Sequence, residues 1–146
     1  TINAHVALHS KRANGVILAS GDSGAGYELF MQDGYVVFVY VYTRFERYSV
    51  RSPQRAGPGV SSLSLRFEKA GENSANIHML VDGVQVASVQ LPKMWQVFSP
   101  NSGLRCGENQ HAPISRDYEA PFTFDQTLAR VVVELDLPAA SGQARA

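Results

Sequence analysis

The sequence predicts an all-β fold, an antiparallel β-sandwich of two sheets, and three observations carry that prediction. Apolar and polar residues alternate with a period of two in most segments. Turn signals, chief among them Asp33-Gly34 and Asp82-Gly83, recur about every eight to twelve residues. No stretch of about a dozen residues carries the 3.6-residue periodicity of an amphipathic helix.

Taken in order, the chain opens on Ile2, Ala4, Val6 and Leu8, which share one face of a strand opposite Asn3, His5 and Ala7. A chain that begins inside a strand, with no loose residues ahead of it, is expected to be a piece of something longer. Asn14-Gly15 marks a turn, and the apolar run from Gly15 to Ser20 suits a strand covered on both sides. Gly21, Gly24 and Gly26 then predict a flexible loop. This loop resembles a phosphate cradle only superficially. A phosphate loop is followed by a helix whose amides converge on the anion, whereas here Tyr27, Leu29 and Met31 alternate with Glu28, Phe30 and Gln32.

Asp33-Gly34 predicts a two-residue hairpin turn, because a type I′ turn needs positive φ at both central residues. The returning strand, Tyr35 to Tyr42, is apolar or aromatic on both faces and is expected to be the most buried. Next, Arg44, Glu46, Tyr48 and Val50 share one face, and Phe45, Arg47, Ser49 and Arg51 the other. From Ser61 to Lys69, Leu63, Leu65 and Phe67 point inward, and Ser62, Ser64, Arg66 and Glu68 outward. Ile77, Met79 and Val81 lead to the Asp82-Gly83 turn. Beyond it the apolar phase switches from Val84 and Val86 to Ala87, Val89 and Leu91, which predicts a bulge near Val86.

Pro92 to Ser102 reads as an extended connection, with Trp95, Val97 and Phe98 tucked against the rim. Gly103 to Leu137 is a polar, decorated loop that feeds a closing strand, Leu128 to Leu137, into the core. Residues 1–137 are thus expected to form one domain, followed by a tail at 138–146.

Composition narrows the function. Thirteen basic residues balance 13 acidic ones, so no field gathers nucleic acid, and no apolar run reaches the length of a membrane span. Cys106 is the only cysteine, which rules out an internal disulfide and leaves the compartment open. Ten of the basic residues are Arg, the side chain suited to planar pairing with carboxylates and other anions.

Catalytic motifs are few. His5 and His9 would share a metal on a helix, but on a strand they lie about 13 Å apart. His78 and His111 have no partner at ligand spacing, and no Gly-x-Ser-x-Gly elbow is present. Glu134-Leu135-Asp136 matches the first half of the Glu-x-Asp-x-x-Glu strand of jelly-roll glucanases. Ala139 stands where the second glutamate belongs, so Glu134 and Asp136 are expected on the solvent face of a strand that turns Val131, Val133, Leu135 and Leu137 inward. No cofactor is expected except calcium, for which Asp22, Glu108, Asn109, Asp117 and Glu119 offer oxygen donors. Tyr40, Tyr42, Tyr48 and Trp95 are candidates for stacking on sugar rings, though in a sandwich such residues mostly fill the core.

Several runs resemble the C-terminal β-sandwich domain of bacterial arylsulfatases, itself similar to jelly rolls of the concanavalin A-like lectin/glucanase and laminin G-like types. They are Ile2-Asn3-Ala4-His5-Val6, Gly15-Val16-Ile17-Leu18-Ala19, Gly26-Tyr27-Glu28-Leu29-Phe30 with Asp33-Gly34, and Phe45-Glu46-Arg47-Tyr48. Leu80-Val81-Asp82-Gly83-Val84-Gln85-Val86-Ala87 follows, and the most specific run extends from Pro113 to Phe124. The chain departs from that family at Gly107-Glu108-Asn109, where Gly-Arg-Asp is usual, and at Thr43, where Asn is common. The Cys/Ser-x-Pro-x-Arg motif of a sulfatase core is absent, since Cys106 is followed by Gly-Glu-Asn-Gln.

The resemblance implies a non-catalytic accessory domain that packs on a sulfatase catalytic domain in the same or a separate chain. Tyr42, Arg44, Glu46, Arg47, Tyr48, Arg116, Asp117, Tyr118 and Glu119 would make the interdomain or ligand contacts. A charged pair joining Arg47 or Arg116 to Glu46, Asp117 or Glu119 would lock the loops. The alternative is a lectin-like carbohydrate-binding module using the tyrosine-bearing face or the Asp117 loop.

Overall fold

The computed structural model describes residues 1–22, 25–94, 104–107 and 123–134. Among the described residues ten strands follow one another: β1 (Ile2–Ala7), β2 (Gly15–Asp22), β3 (Ala25–Gln32), β4 (Tyr35–Thr43), β5 (Glu46–Arg51), β6 (Ser62–Gly71), β7 (Ser74–Val81), β8 (Val84–Leu91), β9 (Leu104–Cys106) and β10 (Thr127–Val133). They form two five-stranded antiparallel sheets, ordered β10-β1-β6-β7-β8 and β5-β4-β3-β2-β9. The predicted all-β sandwich is therefore the observed architecture.

Both predicted hairpin turns form with the required backbone. Asp33 and Gly34 have φ of 52° and 84°, and Asp82 and Gly83 have φ of 49° and 82°. The phase switch in β8 is a bulge at Val86: Met79 faces Ala87, Leu80 faces Gln85, and Val86 is the residue left over. The bulge lets Ala87, Val89 and Leu91 keep packing against the core after the register has slipped.

The main core lies between the sheets, where Ala4, Val6, Leu63, Leu65, Ile77 and Met79 meet Leu29, Met31, Phe38 and Tyr40. Phe38 on β4 and Phe67 on β6 meet edge to face across this space. The sheet containing β4 is buried on its outer face too. There Val16, Ala19, Phe30, Val37, Val39 and Val41 form a second apolar cluster, which accounts for the unbroken apolar composition of β4.

Several expectations need correction. Gly21 and Gly26, expected in a loop, belong to strands: β2 runs on to Asp22, and Gly21 pairs with Gly26 inside the ladder, while Ser23 and Gly24 lie outside the described residues. Ser64 is buried rather than exposed, because its hydroxyl donates to Asn3 Oδ1 on the neighbouring β1. Glu28 is fully buried within the second cluster, between Ala19 on β2 and Val39 on β4. Its alternation with Tyr27 and Leu29 correctly separates the faces, but both faces are covered.

The closing strand differs most. Among the described residues β10 pairs with β1 alone, at the end of its sheet, and Val133 is half exposed rather than inserted in the core. A bulge at Ala129, between the pairs His5–Arg130 and Val6–Leu128, shifts the phase. As a result Leu128 and Val131 are the residues that pack inward. Residues 135–137, including Leu135, Asp136 and Leu137, lie outside the described residues, as do Trp95, Val97 and Phe98.

Candidate functional site

The β4–β5 hairpin and the chain leaving β8 bring Tyr42, Glu46, Tyr48 and Lys93 together at one edge of the sandwich. β5 is held to β4 by Tyr40–Tyr48 and Val41–Arg47 pairs. Tyr42 is then left over as a bulge before Thr43 pairs with Glu46. Glu46 and Tyr48, two residues apart on one strand, share the inner face. The Tyr48 hydroxyl donates to Glu46 Oε2, and Lys93 Nζ donates to Glu46 Oε1 at 3.4 Å. The same ammonium stands 5.8 Å from the centre of the Tyr42 ring.

The electrostatics follow from these contacts. The Tyr48 hydrogen bond, helped by Lys93, holds the Glu46 carboxyl below its usual range, and the same hydrogen bond pushes the Tyr48 phenol up. Glu46 therefore stays ionised and Tyr48 neutral near pH 7, the states in which the phenol donates and the carboxylate accepts.

At the tip of this hairpin Phe45 is 90% exposed, with Arg44 5.9 Å from its ring centre and its own amide hydrogen-bonded to Thr43 Oγ1. The structure thus places Tyr42, Arg44, Glu46 and Tyr48 around one hairpin. Arg47 projects from the face of β5 opposite Glu46, so the expected Arg47–Glu46 pair does not form, and Lys93 takes that place. Arg116, Asp117, Tyr118 and Glu119 lie outside the described residues, as do the calcium candidates Glu108 and Asn109. Lys93 gives no sequence signal, since it is 47 residues from Glu46 and meets it only through the pairing of the two sheets' edges.

Of the residues nominated for sugar stacking, Tyr40 is buried, Tyr42 and Tyr48 are partly buried against the main core, and Trp95 lies outside the described residues. Tyr27, Tyr40 and Tyr48 are register partners in a row across β3, β4 and β5. Tyr40 is fully buried, and the others pack against the main core. Burial raises the Tyr27 phenol above its ordinary range, even though Ser20 hydrogen-bonds it.

A second cluster, not anticipated from the sequence, gathers at the opposite end of the hairpin strands. Asp33 Oδ1 accepts from Arg12 Nη1 at 2.5 Å and Asp33 Oδ2 from Arg55 Nη2 at 2.9 Å, while Arg55 Nε donates to the Asp33 carbonyl at 2.9 Å. The guanidiniums of Arg51 and Arg55 lie 3.7 and 4.9 Å from the centre of the Tyr35 ring. A recess of about 300 Å³ opens beside Tyr35, Arg51, Ser52 and Pro53. Another cleft, of about 330 Å³, lies between Phe67, Lys69, Glu72, Ala75 and Met94 at the far end of β6 and β7.

Among the described residues no group of three His, Cys, Asp or Glu side chains is placed to hold a metal ion. None of their helices is long and apolar enough to cross a membrane. No family model matches the chain, and no curated protein or solved structure is significantly similar to it.

Proposed function

We propose that this sandwich is a non-catalytic accessory domain of the jelly-roll type that docks, through its β4–β5 hairpin, on the catalytic domain of a sulfatase-like enzyme. The observation that carries the reading is the presentation of Phe45. A phenylalanine 90% exposed at a hairpin tip is a poor solvent-facing residue and a good anchor for a partner's pocket. Behind it, the Tyr48–Glu46–Lys93 latch holds the hairpin before any partner arrives, so little ordering entropy is lost on docking. The identity of the partner rests on the resemblance carried by Phe45-Glu46-Arg47-Tyr48 and the run from Pro113 to Phe124. Tyr40 is buried and Tyr42 and Tyr48 pack partly against the main core, which supports docking over the use of a tyrosine face for carbohydrate.

The test is to co-express the chain with the sulfatase-type catalytic domain encoded in the same or a neighbouring reading frame and measure their association. Phe45→Ala is expected to weaken that association at least about tenfold while leaving the melting temperature of the sandwich unchanged. Hydrolysis of p-nitrophenyl sulfate by the purified chain alone would overturn the accessory reading.

A further inference from the structure

We propose that Arg51, held against Tyr35 with the charge of Arg55 beside the same ring, forms an oxyanion-binding site that takes a sulfate, phosphate or carboxylate group. Three chain segments converge to build this corner. Gly34 donates its amide to the Ala13 carbonyl at 2.9 Å, Asp33 donates its amide to Asn14 Oδ1 at 2.8 Å, and Ala56 donates its amide to the Gly34 carbonyl at 2.9 Å. Buried Ser52 ties the segment after β5 to β4, donating its amide to the Val36 carbonyl and accepting from the Val36 amide at its hydroxyl. The arginines are thus mounted on a fixed frame rather than on a loose loop.

Their charges are not balanced. Arg12, Arg51 and Arg55 bring three guanidiniums to one carboxylate, Asp33, whose two oxygens are already taken by Arg12 and Arg55. No described carboxylate pairs with Arg51. Stacking on Tyr35 occupies the face of the Arg51 guanidinium and leaves its in-plane N–H donors available to an acceptor. Arg55 spends Nε and Nη2 on Asp33 and keeps Nη1. Both guanidiniums lie against the Tyr35 ring, and Arg51 lines the recess beside Tyr35, Ser52 and Pro53, which admits a group between Arg51 and solvent. An oxyanion there offsets the unbalanced positive charge around Tyr35 and accepts charge-assisted hydrogen bonds from the planar Arg51 fork, which matches its geometry.

The site lies at the opposite end of β4 and β5 from Phe45, so it stands independently of the docking surface. The experiment is calorimetric and thermal titration of the full chain with sodium sulfate and sodium phosphate, against sodium chloride at equal ionic strength. Dextran sulfate, with unsubstituted dextran as control, forms the second arm. Sulfate or phosphate is expected to bind and raise the melting temperature where chloride does not, and Arg51→Ala to weaken binding about tenfold or more without altering the melting temperature of the free protein. Arg51→Lys is expected to recover little, because the ammonium lacks the planar fork. Binding of dextran sulfate alone, lost in Arg51→Ala, would support the site and assign it to an anionic polymer. Equal responses to sulfate and chloride, with dextran sulfate also silent, would overturn it, as would Arg51→Ala binding like the unaltered chain. Phe45→Ala, which tests docking, is expected to leave anion binding intact.

Discussion

Phe67 on β6 meets Phe38 on β4 edge to face, with 6.1 Å between ring centres and 88° between ring planes. This contact spans the two sheets, and edge-to-face pairs gain from the complementary charge of ring edge and ring face. Phe38 is fully buried, so its removal leaves a cavity that neither sheet can close without shifting its ladder. Phe38→Ala is expected to cost about 3–5 kcal/mol, and Phe38→Leu clearly less. Urea denaturation, read as a lowered midpoint at constant slope, checks the ranking.

Gly15 supplies a second stability test, because its restriction comes from backbone rather than side chains. Its φ is +119°, and a Cβ there would stand 2.2 Å from the Cα of Phe124 and from the Thr123 carbonyl oxygen. This close approach seats residues 123–125 beside β2, where Val16 and Thr123 form a parallel bridge and Asp125 donates its amide to the Asn14 carbonyl at 2.9 Å. Gly15→Ala combines strain with a main-chain clash and is expected to cost about 3 kcal/mol or more. Gly83→Ala has open space but a φ of +82°, so only the left-handed backbone penalises it, by about 1–2 kcal/mol. Gly57→Ala, with neither restriction, should be neutral. Loss of that order in denaturation midpoints would refute the backbone account.

Acid stability depends on several carboxylates acting in the same direction. Arg12 and Arg55 hold the Asp33 carboxyl below its ordinary range, Tyr48 and Lys93 do the same for Glu46, and His78 for Glu68. For Asp82, burial would raise the value, but hydrogen bonds from the Ser61 and Ser62 amides and the Ser61 hydroxyl outweigh it. Each group has a folded pKa below its unfolded one, so its contribution is present above the unfolded carboxylate range and is lost as pH falls through the folded value. The melting temperature is therefore expected to hold above about pH 5 and fall steadily below about pH 4. At the alkaline end the sign reverses. Burial raises Tyr27 and Cys106, and the Glu46 hydrogen bond raises Tyr48, so their contributions decline as pH climbs past the unfolded values. Asp82→Asn keeps the size of the side chain but loses the charge. It should cost about 1 kcal/mol at pH 7 and flatten the acid limb of a melting-temperature profile.

The fold was legible in the sequence wherever local chemistry dictates it. Asp33-Gly34 and Asp82-Gly83 stand out because few other pairs tolerate positive φ, and the Val86 bulge because a slipped register must show as a phase change. What a period of two does not disclose is whether both faces of a strand are covered. Glu28 alternates like a solvent-facing residue and is buried, and Ser64 is buried because Asn3 happens to lie beside it. Strand order is equally silent: β10 reads as a core strand, yet among the described residues it pairs with β1 alone at the end of a sheet. At the candidate site, Glu46 and Tyr48 were legible because they sit two residues apart on one strand. Lys93 was not, nor was the meeting of Arg12, Arg51 and Arg55 around Asp33 and Tyr35, since each depends on long-range closure.

The latch behind Phe45 can be separated from Phe45 itself. Tyr48→Phe removes the hydroxyl that donates to Glu46 but keeps the ring against the core, so the fold should survive with little loss of stability. Glu46 then retains Lys93 as its polar partner among the described residues. Glu46→Ala goes further: it leaves Lys93 poised over Tyr42 without its carboxylate and frees the turn on which Arg44 and Phe45 ride. If the latch preorganises the hairpin, Glu46→Ala should speed amide hydrogen exchange in residues 43–47 while protection elsewhere in β4 stays unchanged. It should also weaken partner association less than Phe45→Ala does, because it removes preorganisation rather than the anchor. Equal exchange in the variant and the unaltered chain would show that the bulged β4–β5 ladder alone holds the hairpin.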